Sequence, residues 1–297
     1  MNRVELFSQH RPLLLSIAYR MLGSVADAED MVQEAYLRWQ AAAAEDIKAP
    51  RAYLATVVTR LCVDHLKSAR NRRELPGATA LPELVGTEAG DPFASATLAD
   101  SLAIAFLVVL QTLRPLERAV FLLHDVFDFD HAAIAAAVGK SEPACRQILR
   151  RAKRRIAERR PCLPGPRAEV AALTERFLHL GRSGDAAGLL ALLSENVTFI
   201  ADGGAGGALY GRARAIARPL RGAKTVTRFL LAVQRQAPAE LRYQIADVNG
   251  RPAILTYRDG QVLSVVSLHV AAHRVRTIYV VTDPDKLASL GALRFAH

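Results

Sequence analysis

The sequence predicts a multidomain chain, with two all-α helical domains followed by an α+β domain on a curved antiparallel sheet. Three observations predict it. The first 160 residues or so carry helical patterning and helix punctuation. Stretches rich in proline, glycine and alanine interrupt it at 73–100 and 159–167. From Asn196 onward, β-branched runs alternate with Asn-Gly and Asp-Gly pairs suited to tight hairpins.

Composition narrows the class. The chain has 297 residues, 51% of them hydrophobic and 23% charged, with net charge +10. That is enough chain for about two domains with buried cores, and too apolar for a disordered polymer. The apolar run Ala103 to Leu110 is far short of the roughly 20 residues that a membrane span needs. The start, MNRVELFSQHRP, lacks a basic-then-apolar signal pattern. Cys62, Cys145 and Cys162 are too few and too scattered for a disulfide framework or a zinc site. A cytoplasmic protein with no metal and no cofactor is the expectation. The excess charge sits mostly after residue 166, with +7 there against +3 before it, so only local basic clusters point to nucleic acid.

The expected boundaries follow from the breaks. They are a helical domain over 1–73, a linker over 74–100, a second helical domain over 101–160, a proline hinge over 161–167 and the α+β domain over 168–297. The first helix with clear chemistry is SVADAEDMVQEAYLRWQ. Ser24 followed by Asp27 resembles a capping box, and Ala28, Val32, Ala35 and Trp39 form one apolar stripe. Asp27, Asp30 and Glu34 fall together on another face, which either stays in water or meets a basic partner. The next helix starts at Pro50 and ends in Lys67, Arg70, Arg72 and Arg73. These cations match the helix dipole or contact phosphate.

The third segment is DFDHAAIAAAVGKSEPACRQILRRAKRRIAERR. A short helix ends at Gly139; Ser141 and Pro143 open a second, which is helix-turn-helix punctuation. Cys145, Ile148, Leu149, Ala152 and Ile156 face inward, leaving Arg146, Gln147, Arg150, Arg151, Lys153 and Arg154 outside. Lys140 to Arg160 holds nine basic and two acidic residues. The alternatives are a recognition helix for the DNA major groove and a basic surface helix of a bundle.

HRPLLLSIAYRMLGSVADAEDMVQEAYLRW and LRPLERAVFLLHDVFDFDHAAIAAAVGKSEPACRQILRRAKRRI together resemble regions 2 and 4 of an extracytoplasmic-function sigma factor of bacterial RNA polymerase. The tail, VNGRPAILTYRDGQVLSVVSLHVAAHRVRTIYVVTDPDKLASL, resembles the SnoaL-like (NTF2-like) extension of the sigma-J-type subgroup, a cone around a pocket. The resemblance implies roles for individual residues. Asp27, Asp30, Gln33 and Glu34 would bind the β′ clamp of core polymerase, with the β flap as a second contact for the chain. Tyr53, Arg60, Asp64 and Lys67 would hold the melted −10 element; many members carry Asn where Arg60 stands. Arg146, Gln147, Arg150, Arg151 and Lys153 would read the −35 element.

Three strings depart from the subgroup pattern. A WLPEP-like linker string appears as ALPEL, Ala80 to Leu84; a DGGGK-like string as DGGAGG, Asp202 to Gly207; and NPDKL as DPDKL, Asp283 to Leu287. In the subgroup these link the linker and extension to the helical domains. They imply regulatory contacts through Leu81, Pro82, Glu83, Asp202, Gly203, Gly204, Asp283, Pro284, Asp285, Lys286 and Leu287. The implied function is promoter recognition by binding, without catalysis, modulated by the fused C-terminal domain. The alternative is a helix-turn-helix regulator whose C-terminal pocket senses a small ligand or works as a weak isomerase or cyclase. Asp202, Tyr257, Asp259, His269 and His273 are the acid–base candidates for that chemistry.

Overall fold

A computed structural model describes residues 2–42, 47, 49–72, 81–86, 102–158, 165–204, 208–210, 213–214, 218–288 and 290. Residues 161–164 of the proline hinge, Cys162 among them, lie outside the described residues, as do Arg73, residues 74–80 and 87–100 of the expected linker with Ala80, Ala205 to Gly207, and the side chains of Arg70 and Arg72. The chain divides into two units. One comprises Met1–Leu75, Pro92–Leu102 and Phe106–Pro161; the other comprises Pro76–Asp91, Ala103–Ala105 and Cys162–His297.

The first unit is helical. Helices α1 (Arg3–Leu22), α2 (Val25–Ala41) and α3 (Pro50–Arg72) pack on one another. Gly23 ends α1 at φ 75°, a left-handed cap that glycine adopts without Cβ strain. Ser24 then opens α2 by accepting from the Asp27 amide at 3.2 Å. The stripe Ala28, Val32, Ala35 and Trp39 is fully buried, and Trp39 Nε1 donates to the Arg3 carbonyl at 3.1 Å. Further on come α4 (Ile104–Leu110), α5 (Pro115–Phe121), a π-helical turn (Leu122–Val126), α6 (His131–Val138) and α7 (Glu142–Glu158).

Arginines fasten α1 and α3 to this second group of helices, Arg20 and Arg118 from buried positions and Arg51 from an exposed one. Arg118 on α5 donates to the Met21 carbonyl at the end of α1. Arg20 lies 5.6 Å from the Phe127 ring, and Arg51 lies 4.5 Å above that of Phe129. Burial lowers the Arg20 and Arg118 guanidiniums to about 10, still charged at neutral pH, so each needs its carbonyl partners.

The second unit is α+β. Helices α8 (Arg167–Ser183) and α9 (Ala186–Leu192) precede strands β1 (Leu193–Asp202), β2 (Ala208–Tyr210), β3 (Ala213–Arg214) and β4 (Leu220–Arg221). Helix α10 (Ala223–Arg235) follows, then β5 (Arg242–Val248), β6 (Arg251–Arg258), β7 (Gln261–Ala271), β8 (Arg274–Val281) and α11 (Pro284–Ala288). The core lies where α8, α9 and α10 cover the sheet, around Phe177, Leu189, Phe199, Val226, Val275 and Ile278.

The curved antiparallel sheet, and the cone expected of it, are not found. The six strands run β4-β1-β8-β7-β6-β5 in a mixed, uncurled sheet, because β1 lies parallel to β8, with Phe199 opposite Ile278. The Asn-Gly and Asp-Gly pairs do build hairpins: Asn249, Gly250, Asp259 and Gly260 all have positive φ. Those pairs specify only the hairpins β5–β6 and β6–β7. The pairing of β1 with β8 joins residues some 80 positions apart, and no turn signal records it.

Candidate nucleic-acid interface

The helix-turn-helix is built locally. Asp130 caps α6 by accepting from the Ala133 amide at 2.7 Å. Gly139 ends it at φ 64°, and Ser141 Oγ accepts from the Ala144 amide at 3.4 Å at the start of α7. On α7, Cys145, Ile148, Leu149 and Ala152 are buried, while Arg146, Gln147, Arg150, Arg151, Lys153 and Arg154 are exposed. The exposed face is not uniform. Arg146 pairs with Glu142 at 3.3 Å and Lys153 with Asp125 at 3.0 Å. Arg150 and Arg151 make no ion pair among the described residues. They are the charges readiest to meet phosphate or a guanine edge.

Helix α3 carries Tyr53, Arg60, Asp64 and Lys67. Tyr53 is half-buried, its ring 6.0 Å from that of Trp39. Asp64 and Lys67 are exposed and pair with each other at 3.2 Å. Arg60 is exposed and folds back on its own unit. Its Nε donates to the Ala137 carbonyl at 2.9 Å and its Nη2 to that of Ala136 at 2.6 Å, capping the C-terminal end of α6.

On α2, Asp30 and Gln33 are exposed, Asp27 and Glu34 half-buried. Glu34 pairs with Arg38 at 3.0 Å, and Asp27 lies 3.8 Å from His65. Leu37, 58% exposed, falls on the same face as Asp30, Gln33 and Glu34 by helical spacing. Leu37 is not among the residues that the charge pattern of this helix singles out.

In the second unit, three distant segments meet at Asp202. Its Oδ2 accepts from the Leu81 amide at 2.7 Å and from Lys286 Nζ at 2.6 Å, while Lys286 also donates to the Leu81 carbonyl at 2.5 Å. Leu81, Pro82, Leu84 and Val85 are buried, and Glu83 is half-buried. Val85 exchanges hydrogen bonds with Asn249, a residue whose sequence context marks only a turn. Gly203 and Gly204 follow Asp202 directly. A Cβ on Gly204 would stand 2.6 Å from the Asp283 carboxyl carbon, so that approach needs glycine. Asp283 accepts from the amides of Asp285 and Leu287, opening α11; Pro284 is its first residue and Leu287 is buried.

Two stretches match described families: residues 6–72 match Sigma-70 region 2 and residues 103–156 match Sigma-70, region 4. The chain is 37% identical to the ECF RNA polymerase sigma factor SigJ of Mycobacterium tuberculosis, over 95% of this chain and 92% of that protein. It belongs to the extracytoplasmic-function RNA polymerase sigma factors. The sigma factor is also 30% identical to SigG of the same organism, over 96% of this chain and 83% of that one. The crystal structure of M. tuberculosis SigJ superposes with TM-score 0.75 at 34% identity, covering 96% of this chain and 98% of that chain.

The acid–base candidates of the sigma factor do not assemble into a site. Asp259 sits in a hairpin turn at φ 52° and His273 pairs with Glu169 at 2.8 Å. Tyr257 and His269 are buried on neighbouring strands, and burial pushes the Tyr257 phenol up. Asp202 is committed to Leu81 and Lys286. None of the five lines the apolar cavity under α8 and α10. Among the described residues, no group of His, Cys, Asp and Glu could hold a metal ion, and no helix is long and apolar enough to cross a membrane.

Proposed function

We propose that this sigma factor binds core RNA polymerase through the Asp30, Gln33, Glu34 and Leu37 face of α2 and carries it to promoters. In this reading α7 lies in the major groove of the −35 duplex, and Arg146, Gln147, Arg150 and Arg151 face base edges. Tyr53, Arg60, Asp64 and Lys67 on α3 serve the melted −10 strand. The observation that carries the proposal is the pair Arg150 and Arg151, exposed and without an ion-pair partner among the described residues, on the outer face of a capped helix-turn-helix.

The mechanism is binding. Phosphate contacts supply affinity that falls with salt, and base contacts supply selection. Holding single-stranded bases favours the open promoter, because the factor gains contacts there that the closed duplex does not offer. The C-terminal unit modulates this through Leu81–Gly86. That segment lies in sequence between the two sigma regions, and Asp202, Lys286 and Asn249 hold it. Retaining or releasing it changes the length of free chain joining region 2 to region 4.

Run-off transcription with core polymerase and a genomic promoter library tests the proposal. The expected result is a set of transcripts that share two elements at one spacing and depend on added sigma factor. Specific DNA binding without polymerase, and no added transcripts, supports a plain helix-turn-helix regulator instead.

A further inference from the structure

The C-terminal unit contains a cavity of about 110 Å³ between α8, α10 and the sheet. Its wall is aromatic and aliphatic. Phe177, Phe199, Phe229 and Tyr243 line it, and the Phe199 and Phe229 rings meet edge to face at 5.1 Å. An apolar cavity of roughly 150 Å³ accepts benzene, and this one is smaller, so a single ring is the largest guest it takes. Aromatic walls favour an aromatic guest, whose edges and faces complement theirs.

Two polar features break the apolar lining. Thr256 on β6 and Ser264 on β7 are cross-strand partners, each 2% exposed, and a β-bulge follows Thr256. Ser264 Oγ donates to Thr256 Oγ1 at 3.0 Å, which leaves the Thr256 hydroxyl with its own proton to donate. A buried hydroxyl gains from an acceptor there. Among the described residues, Arg182 is the one charged residue that lines the cavity; it is exposed and lies 5.3 Å over the Tyr243 ring. No carboxylate among the described residues lines the cavity, so a cation entering it meets no counter-charge there.

We infer that this cavity binds a single-ring aromatic molecule, neutral or anionic, with a hydrogen-bonding oxygen directed at Thr256. A carboxylate on the ring would find its counter-charge in Arg182, which also lines the cavity. The inference deepens the regulatory reading of the C-terminal unit by naming a ligand class. Binding is measured without polymerase, so its failure leaves the promoter reading standing.

Gly181 supplies the test. It lines the cavity from within α8, and a Cβ built on it meets nothing within 4 Å. Gly181→Leu therefore fills the space while improving helix propensity. Phenol, 4-hydroxybenzoate, toluene and benzylamine are titrated into the full-length chain, with calorimetry and thermal unfolding as readouts. Phenol and 4-hydroxybenzoate are expected to bind and raise Tm by several degrees at saturation, and benzylammonium is not. Thr256→Val weakens phenol about fivefold and leaves toluene unchanged. Gly181→Leu abolishes binding of every probe without lowering Tm of the free protein. Three results overturn the inference: no probe bound at millimolar concentration, equal binding of benzylammonium and phenol, or wild-type binding by Gly181→Leu.

Discussion

Arg60 on α3 bridges the last carbonyls of α6, donating to Ala137 at 2.9 Å and to Ala136 at 2.6 Å. The guanidinium fork meets two acceptors at once, which a lysine ammonium at this site does poorly. Arg60→Ala is expected to lower the stability of the helical unit by about 1 kcal/mol, and Arg60→Lys to restore less than half of that. Trp39, the chain's single tryptophan, lies in this unit and reports its denaturant unfolding by fluorescence.

Arg150 and Arg146 differ in what they give up to meet DNA. Arg150→Ala is expected to weaken −35 selection by about 1–3 kcal/mol. Arg146 must first leave Glu142, 3.3 Å away, so Glu142→Gln should modestly tighten promoter binding. Competition between promoter variants in holoenzyme binding assays measures both.

Asp30 and Leu37 are exposed on α2, away from the buried stripe. Asp30→Lys and Leu37→Ala are expected to reduce affinity for core polymerase at least tenfold and to leave Trp39 fluorescence and unfolding unchanged. A loss of folding in either variant places these side chains in the fold rather than at the interface.

Asp202 and Lys286 form a nearly buried pair at 2.6 Å. Asp202→Ala removes the carboxylate that the Lys286 ammonium and the Leu81 amide share, and is expected to destabilise the C-terminal unit by about 3 kcal/mol. Limited proteolysis should then cut within residues 81–86, a segment the wild type protects.

His10 gives the helical unit a pH dependence. Burial, and then the Arg51 charge, lower its pKa from 6.5. The folded state therefore binds fewer protons than the unfolded state, and stability falls as pH drops through and below 6.5. His10→Asn should flatten the stability profile between about pH 7 and 5, measured by Trp39 fluorescence.

The sequence made the local features legible. The stripe on α2, the inward face of α7 and the Asn-Gly and Asp-Gly turns each follow from spacing within a few residues. Long-range features left no such trace. The parallel pairing of β1 with β8 depends on contacts some 80 residues apart. Helix α10 hides among the strands because Thr225, Val226 and Thr227 open it with a β-branched run. The third hairpin turns at Ala272 and His273, both at positive φ, without the glycine that marks the other two. The capping of α6 by Arg60 leaves no trace either, because its acceptors, 76 and 77 residues away, are backbone atoms that sequence does not distinguish.

The central claim is that the helical unit works by docking on polymerase. Gel filtration of the purified chain with bacterial core polymerase tests it most directly. Co-elution as a stoichiometric complex that Asp30→Lys disrupts is the expected result. Separate elution of the two, with the chain folded, contradicts it.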